Sequence, residues 1–270
     1  MFKKKKKLLA CGDSFTDPDF VTSDPDLYHK LKDGWPMWPE LVARELNLDV
    51  VNLGKCGAGN DYIFDSTSQY INTHYEEIDT VMVLWSDFQR FALGPSHLKM
   101  FVNCNSLLQK FKPDIVDPDM LDNIKRWRRG LKDDLCITDE FPKKFLDLFY
   151  TEINSNVNQN YNRLINMYHI CKRYEIKLVM FYGLKPFRKN DTFSDKMVET
   201  SLVMSEMYDE LEKISKHIVG WPGFQSLGGY NSQDTTYKHR ISDFDTHPNA
   251  TGQWKISKEF LQKYRELYCV

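Results

Sequence analysis

Short apolar runs that stop at a glycine or a small polar cluster recur along this chain, and helical spacing follows nearly every one. Lys7 to Cys11 stops at Gly12, Asp49 to Leu53 at Gly54, Thr80 to Trp85 at a serine, and Ile176 to Tyr182 at Gly183. Between and after them, Glu40 to Leu46, Tyr62 to Tyr75, Thr151 to Tyr174, Ser194 to Ser215 and Pro248 to Leu267 carry apolar residues at helical intervals. His217 to Gly220 reads as a short further strand. Alternation of this kind buries a parallel sheet between two helical layers. The expectation is therefore an α/β protein, a three-layer α/β/α sandwich of about five mostly parallel strands. The 270 residues suit one such domain. The stretch from about 91 to 150 breaks the rhythm with prolines and the basic run Lys125 to Arg129, and is expected to be a helical insertion or lid within that domain.

Open parallel sheets bind ligands beyond the carboxyl ends of their strands. Three polar clusters fall at such ends. The first is Gly12-Asp13-Ser14-Phe15-Thr16, where a serine hydroxyl follows a buried strand directly and Asp13 supports the turn. If that turn opened a helix, unpaired backbone N–H groups and the positive end of a dipole would surround Ser14. The plainer role for Asp13 or Ser14 there is a helix cap. The second is the glycine-rich Gly54-Lys55-Cys56-Gly57-Ala58-Gly59-Asn60, and the third follows Trp85 as Ser86-Asp87-Phe88-Gln89-Arg90.

A serine hydroxyl becomes a nucleophile at neutral pH only when a base takes its proton, and imidazole suits that task. Ser242-Asp243-Phe244-Asp245-Thr246-His247-Pro248, just before the closing helix, supplies one. Asp245 is the nearest carboxylate to orient His247, with Asp243 in reserve.

These blocks resemble the SGNH, or GDSL-type, hydrolase superfamily. The resemblance rests on Gly12-Asp13-Ser14-Phe15, on Asn52-Leu53-Gly54-Lys55-Cys56-Gly57 and on Asp245-Thr246-His247-Pro248, in that order along most of the chain. It implies a flavodoxin-like sheet, with Ser14 as nucleophile, His247 as general base and acid, and Asp245 as its carboxylate. It also implies that the backbone N–H groups of Ser14 and Gly57 receive the oxyanion.

Two departures accompany the likeness. Where the family shows Gly-x-Asn-Asp, with the asparagine as a further oxyanion donor, this chain has Trp85-Ser86-Asp87-Phe88. An ionised Asp87 accepts hydrogen bonds only, and a lost donor costs about 10²- to 10³-fold in rate. Ser86, Asn60, Gln89 and Arg90 are the candidate replacements. The family's Asp-x-x-His spacing would put Phe244 at the carboxylate position, so Asp245 must serve from one place nearer the histidine.

Other functions find less support. A formal net charge of -2 offers no general attraction to nucleic acid or anionic membranes. The glycine-rich loop lacks the full G-x-G-x-x-G spacing, and no Gly-Lys-Ser/Thr loop occurs. The remaining histidines show no ligand spacing, so no metal and no cofactor is expected. Six scattered cysteines without C-x-x-C spacing, and the lack of a long apolar segment or secretory leader, suggest reduced thiols and a cytoplasmic location. The expected function is a serine esterase that removes a short acyl group, acetyl foremost, from a small-molecule or glycan ester. Its alternatives are an inactive binding module on the same scaffold and an acyltransferase. The sequence leaves the oligomeric state open.

Overall fold

The computed structural model describes residues 5–22, 24, 34–86, 90–93, 100–103, 153–182, 204–220, 239–242, 245 and 247–269. Asp87, Gln89, Asp243 and all but 91–93 and 100–103 of the expected insertion lie outside them.

Four parallel strands form the central sheet: β1 (Lys7–Cys11), β2 (Asp49–Asn52), β3 (Ile78–Trp85) and β6 (Lys177–Tyr182), in the order β2-β1-β3-β6. Their side chains alternate between two cores. Leu9, Cys11, Val81, Val83, Leu178 and Met180 point to one face, where α2 (Asn60–His74) and α3 (Ile153–Arg173) cover them with Ile63, Ile71, Tyr161, Leu164 and Met167. Leu8, Ala10, Met82, Leu84, Val179 and Phe181 point to the other, against α1 (Trp38–Glu45) and α5 (Ala250–Tyr268). There the Trp38 and Phe260 rings stack at 4.2 Å. The result is the three-layer α/β/α arrangement, and truncating one of its fully buried leucine, isoleucine or methionine side chains to alanine would cost about 2–5 kcal/mol.

Three details differ from the expectations. The fifth strand shrinks to a single parallel bridge between Met180 and Ile218, because His217 ends a 3₁₀ turn, Ser215–His217, and Gly220 turns the chain away with φ of 78°. In the stretch read as Ser194 to Ser215, the described part holds only a short helix, α4 (Tyr208–Lys213). The start of the expected helical insertion is β-structure. There β4 (Arg90–Leu93) and β5 (Met100–Asn103) pair antiparallel. No described helix is long and apolar enough to cross a membrane.

Register aligns the strand ends that matter. Ala10 lies beside Asn52 of β2 and Met82 of β3, so the turns after all three strands emerge at one edge of the sheet.

Candidate active site

The segment after β1 makes one helical turn and no helix. Thr16 N and Asp17 N both donate to Asp13 O, at 2.9 and 3.0 Å, and the chain then leaves through a second turn at Asp17. Asp13 Oδ1 accepts the Phe15 N–H at 3.0 Å, which closes the turn from within. Two helices clamp it from outside. Gln253 of α5 donates to Phe15 O at 3.1 Å and accepts the Trp38 N–H at 2.9 Å, and the Trp38 indole donates to Thr16 Oγ1 at 3.1 Å. Ser14 is thus held at the sheet edge, 4% exposed.

The histidine loop returns over the same edge. Ile241 N donates to His247 O at 2.9 Å, Asn249 N to His239 O at 3.1 Å, and Asn249 caps α5 by accepting from Gly252 N. This closed loop presents His247 with Nε2 at 2.9 Å from Ser14 Oγ and Nδ1 at 2.6 Å from Asp245 Oδ1. A carboxylate can only accept, so Nδ1 carries the proton and Nε2 is the acceptor facing the serine hydroxyl. Asp245 Oδ1 also takes the His247 N–H at 3.1 Å, and Oδ2 takes the Thr22 hydroxyl at 2.6 Å. The shorter Asp-x-His spacing therefore still reaches Nδ1. Burial would push the Asp245 carboxyl up, but the hydrogen bond and charge of His247, followed by the Thr22 hydroxyl, outweigh it and hold the group well below the usual aspartate range. The Phe20 ring packs on the imidazole at 4.3 Å between centroids and the Phe15 ring meets it edge-on at 5.6 Å.

On the other side of Ser14 lies the glycine-rich loop. Lys55 N donates to Gly12 O at 3.0 Å, Cys56 N to Asp17 Oδ2 at 2.7 Å, and the Asn52 side chain to Thr16 O at 2.7 Å. These bonds dock the loop on the serine turn. Gly57, at its tip, has φ of 80°, a conformation that disfavours any side chain. Among the described residues the backbone N–H groups of Ser14 and Gly57 meet no acceptor.

Two of the candidate replacement donors are already committed. Asn60 gives its side-chain N–H bonds to Ser86 O and Asn160 Oδ1, at 3.0 and 2.9 Å, and accepts the Ser86 N–H at 2.8 Å. The single Ser86 hydroxyl proton goes to Asp13 Oδ2 at 2.8 Å. Neither can serve an oxyanion without breaking a buried bond. Arg90 stands differently: its Nη1 donates to the same Asp13 Oδ2 at 2.9 Å, pairing a buried carboxylate with a guanidinium whose side chain is 20% exposed.

A small pocket opens beside Ser14 and His247, lined by Phe20, Trp35, Met37, Ile241 and Pro248. Among the described residues no group of three or more His, Cys, Asp and Glu is arranged to hold a metal. Thr22, Gln253 and Phe20 were not singled out in the sequence. Their roles come from partners more than 200 positions distant, or from ring packing that no local pattern marks.

No family model matches the chain, and no curated protein does. Among solved structures it is similar to LAE5, an alpha/beta hydrolase enzyme from the metagenome of Lake Arreo, Spain, with 15% identity, TM-score 0.43 and coverage of 97% of this chain and 96% of that one. It is also similar to a catalytic mutant of Axe2, an acetylxylan esterase from Geobacillus stearothermophilus, with 13% identity, TM-score 0.42 and coverage of 98% and 95%. A third is the lipase/acylhydrolase from Enterococcus faecalis, with 12% identity, TM-score 0.45 and coverage of 97% and 96%.

Proposed function

We propose that the chain is a serine esterase of SGNH type acting on a short acyl ester. The observation that carries this reading is the unbroken line of hydrogen bonds from Ser14 Oγ through His247 to Asp245, at 2.9 and 2.6 Å. Ser14 Oγ bonds to the ester carbonyl carbon as its proton passes to His247 Nε2, and the carbonyl π pair moves onto oxygen. The Ser14 and Gly57 N–H groups face no other acceptor among the described residues and are the donors for that oxyanion. The C–O bond to the alcohol then breaks, and the imidazolium returns its proton to the departing oxygen. Water attacks the acyl-serine by the same route, giving the carboxylic acid and restoring the serine. Asp245 stays ionised and stabilises the imidazolium at each stage.

The small pocket beside Ser14 suits a short acyl group such as acetyl, and Trp35 in its lining is the candidate to pack on a sugar ring in the acceptor. The test is labelling by a serine-reactive fluorophosphonate, together with hydrolysis of acetyl and longer aryl esters and an acetylated xylo-oligosaccharide. Wild-type protein should label, and Ser14→Ala and His247→Ala should not. A wild type that neither labels nor cleaves any ester would instead mark a binding module. Acceptor-dependent turnover above hydrolysis would mark an acyltransferase.

A further inference from the structure

The asparagine that the family resemblance leads one to expect after β3 is absent from the sequence, and two neutral candidates to replace it, Asn60 and Ser86, have spent their protons on Ser86 O, Asn160 and Asp13. We propose that Arg90, from the start of β4, supplies the missing oxyanion contact through the guanidinium N–H bonds that Asp13 leaves unused.

Three observations place it. Its backbone lies against the glycine-rich loop: a Cβ on Gly59 would come within 2.4 Å of Arg90 O, so only glycine lets β4 approach so closely. Its guanidinium ends on Asp13, the residue directly before Ser14, by a 2.9 Å bond. The residue therefore links the glycine-rich loop, at Gly59, to Asp13, the residue directly before Ser14. Finally, a guanidinium carries five N–H bonds, and among the described residues only the one on Asp13 is engaged. Its side chain keeps 20% exposure where that of Asp13 keeps 1%, so the pair is not wholly sealed from the surface. The charge is felt at Cys56, next to Gly57, where partial burial and then the Asp13 and Asp17 carboxylates raise the thiol pKa while Arg90 and Lys55 oppose them.

Asp13 then has a double use. One oxygen shapes the serine turn through the Phe15 N–H, and the other fixes Arg90 and Ser86. A fixed, planar donor costs little reorganisation when charge develops on the carbonyl oxygen. The same pair has a purely structural reading, in which Arg90 only neutralises a buried carboxylate. The experiment separates the two.

This inference rests on the esterase reading. Wild type, Arg90→Lys, Arg90→Gln and the double variant Asp13→Asn/Arg90→Gln are compared for kcat, KM, the pH profile of kcat/KM and melting temperature on one aryl acetate. The double variant leaves no unpaired buried charge, so its fold should survive. Its kcat should nonetheless fall about 10²- to 10³-fold, the loss expected for one oxyanion donor. KM should stay within about threefold, and the pH profile should keep its shape because His247 and Asp245 are untouched. Arg90→Lys keeps the charge on Asp13 but loses the fork, and should fall at least about tenfold. An active wild type with a folded double variant within about threefold of it overturns the inference and leaves the esterase standing. If the double variant melts early, Arg90→Lys decides on the same threefold criterion. A wild type inert toward esters and fluorophosphonate overturns both.

Discussion

Thr22 Oγ1 donates a 2.6 Å hydrogen bond to Asp245 Oδ2, joining the loop after the serine turn to the histidine loop across 223 positions. Around it the two loops are laced further, with Ser242 Oγ donating to Asp24 Oδ2 and Asp24 N to Thr22 Oγ1. A hydrogen bond to a charged group contributes about 1.5–3 kcal/mol. Thr22→Val keeps the shape and removes the donor, and its kcat should fall about 10- to 100-fold, whereas Thr22→Ser should retain most of it. A valine variant as fast as wild type would show the bond to be dispensable.

Asp245→Asn tests the tautomer. The amide can present N–H to Nδ1, which would place the imidazole proton on Nε2 and leave nothing to accept from Ser14. Turnover at neutral pH should drop by a factor on the order of 10⁴ with the fold retained. A tenfold loss or less in steady-state kinetics would mean that another carboxylate orients His247.

Gly57→Ala places a side chain at φ of 80°. The strain amounts to about 1–2 kcal/mol, and relief of it would re-orient the Gly57 N–H. Both the melting temperature and kcat should decrease, the latter by about tenfold or more. Unchanged kcat in an otherwise folded variant would remove Gly57 from the oxyanion site.

His217 gives the fold a pH dependence of its own. Burial, and then the nearby Lys216 and Lys263 charges, lower its pKa against the opposing bond to Leu178 O, and Tyr168 and Tyr268 complete its surroundings. A base whose folded pKa is lowered binds its proton more readily when unfolded. Stability is therefore complete above the ordinary histidine value of about 6.5 and declines as the pH falls below it. Thermal melts from pH 8 to 5 should show that decline for wild type and a flatter curve for His217→Gln. Parallel curves would assign the effect to other groups.

The layered sheet was legible because Leu8 to Cys11, Val81 to Trp85 and Leu178 to Tyr182 are continuous apolar runs, as strands buried on both faces must be. Ser14 stood out as a hydroxyl directly after a buried strand and His247 as an imidazole beside a carboxylate just before the closing helix, whereas Gly57 was marked only by the resemblance of its glycine-rich block. The fate of Asn60 was not legible. Its bonds run to Ser86 and to Asn160, 26 and 100 positions away, and no local pattern announces that a polar side chain will be used up inside a packed interface. The hairpin at Arg90 was hidden for a related reason, since a four-residue strand has too few turns of pattern to distinguish it from a helix.

The clamp of Gln253 and Trp38 on Phe15 and Thr16 ties the serine turn to two helices as well as to the sheet, where Asn52 of β2 holds Thr16 O. Helices can open locally at a free energy below that of the whole molecule. An excursion in which α5 lifts away would remove Gln253 and displace His247, which sits three residues before that helix begins, while β1, β3 and β6 remained paired. Backbone amides of α5 should accordingly exchange with deuterium sooner than those of β3, and heating should extinguish turnover before the strands melt. The lifetime of the site is thereby set by how long α5 stays docked.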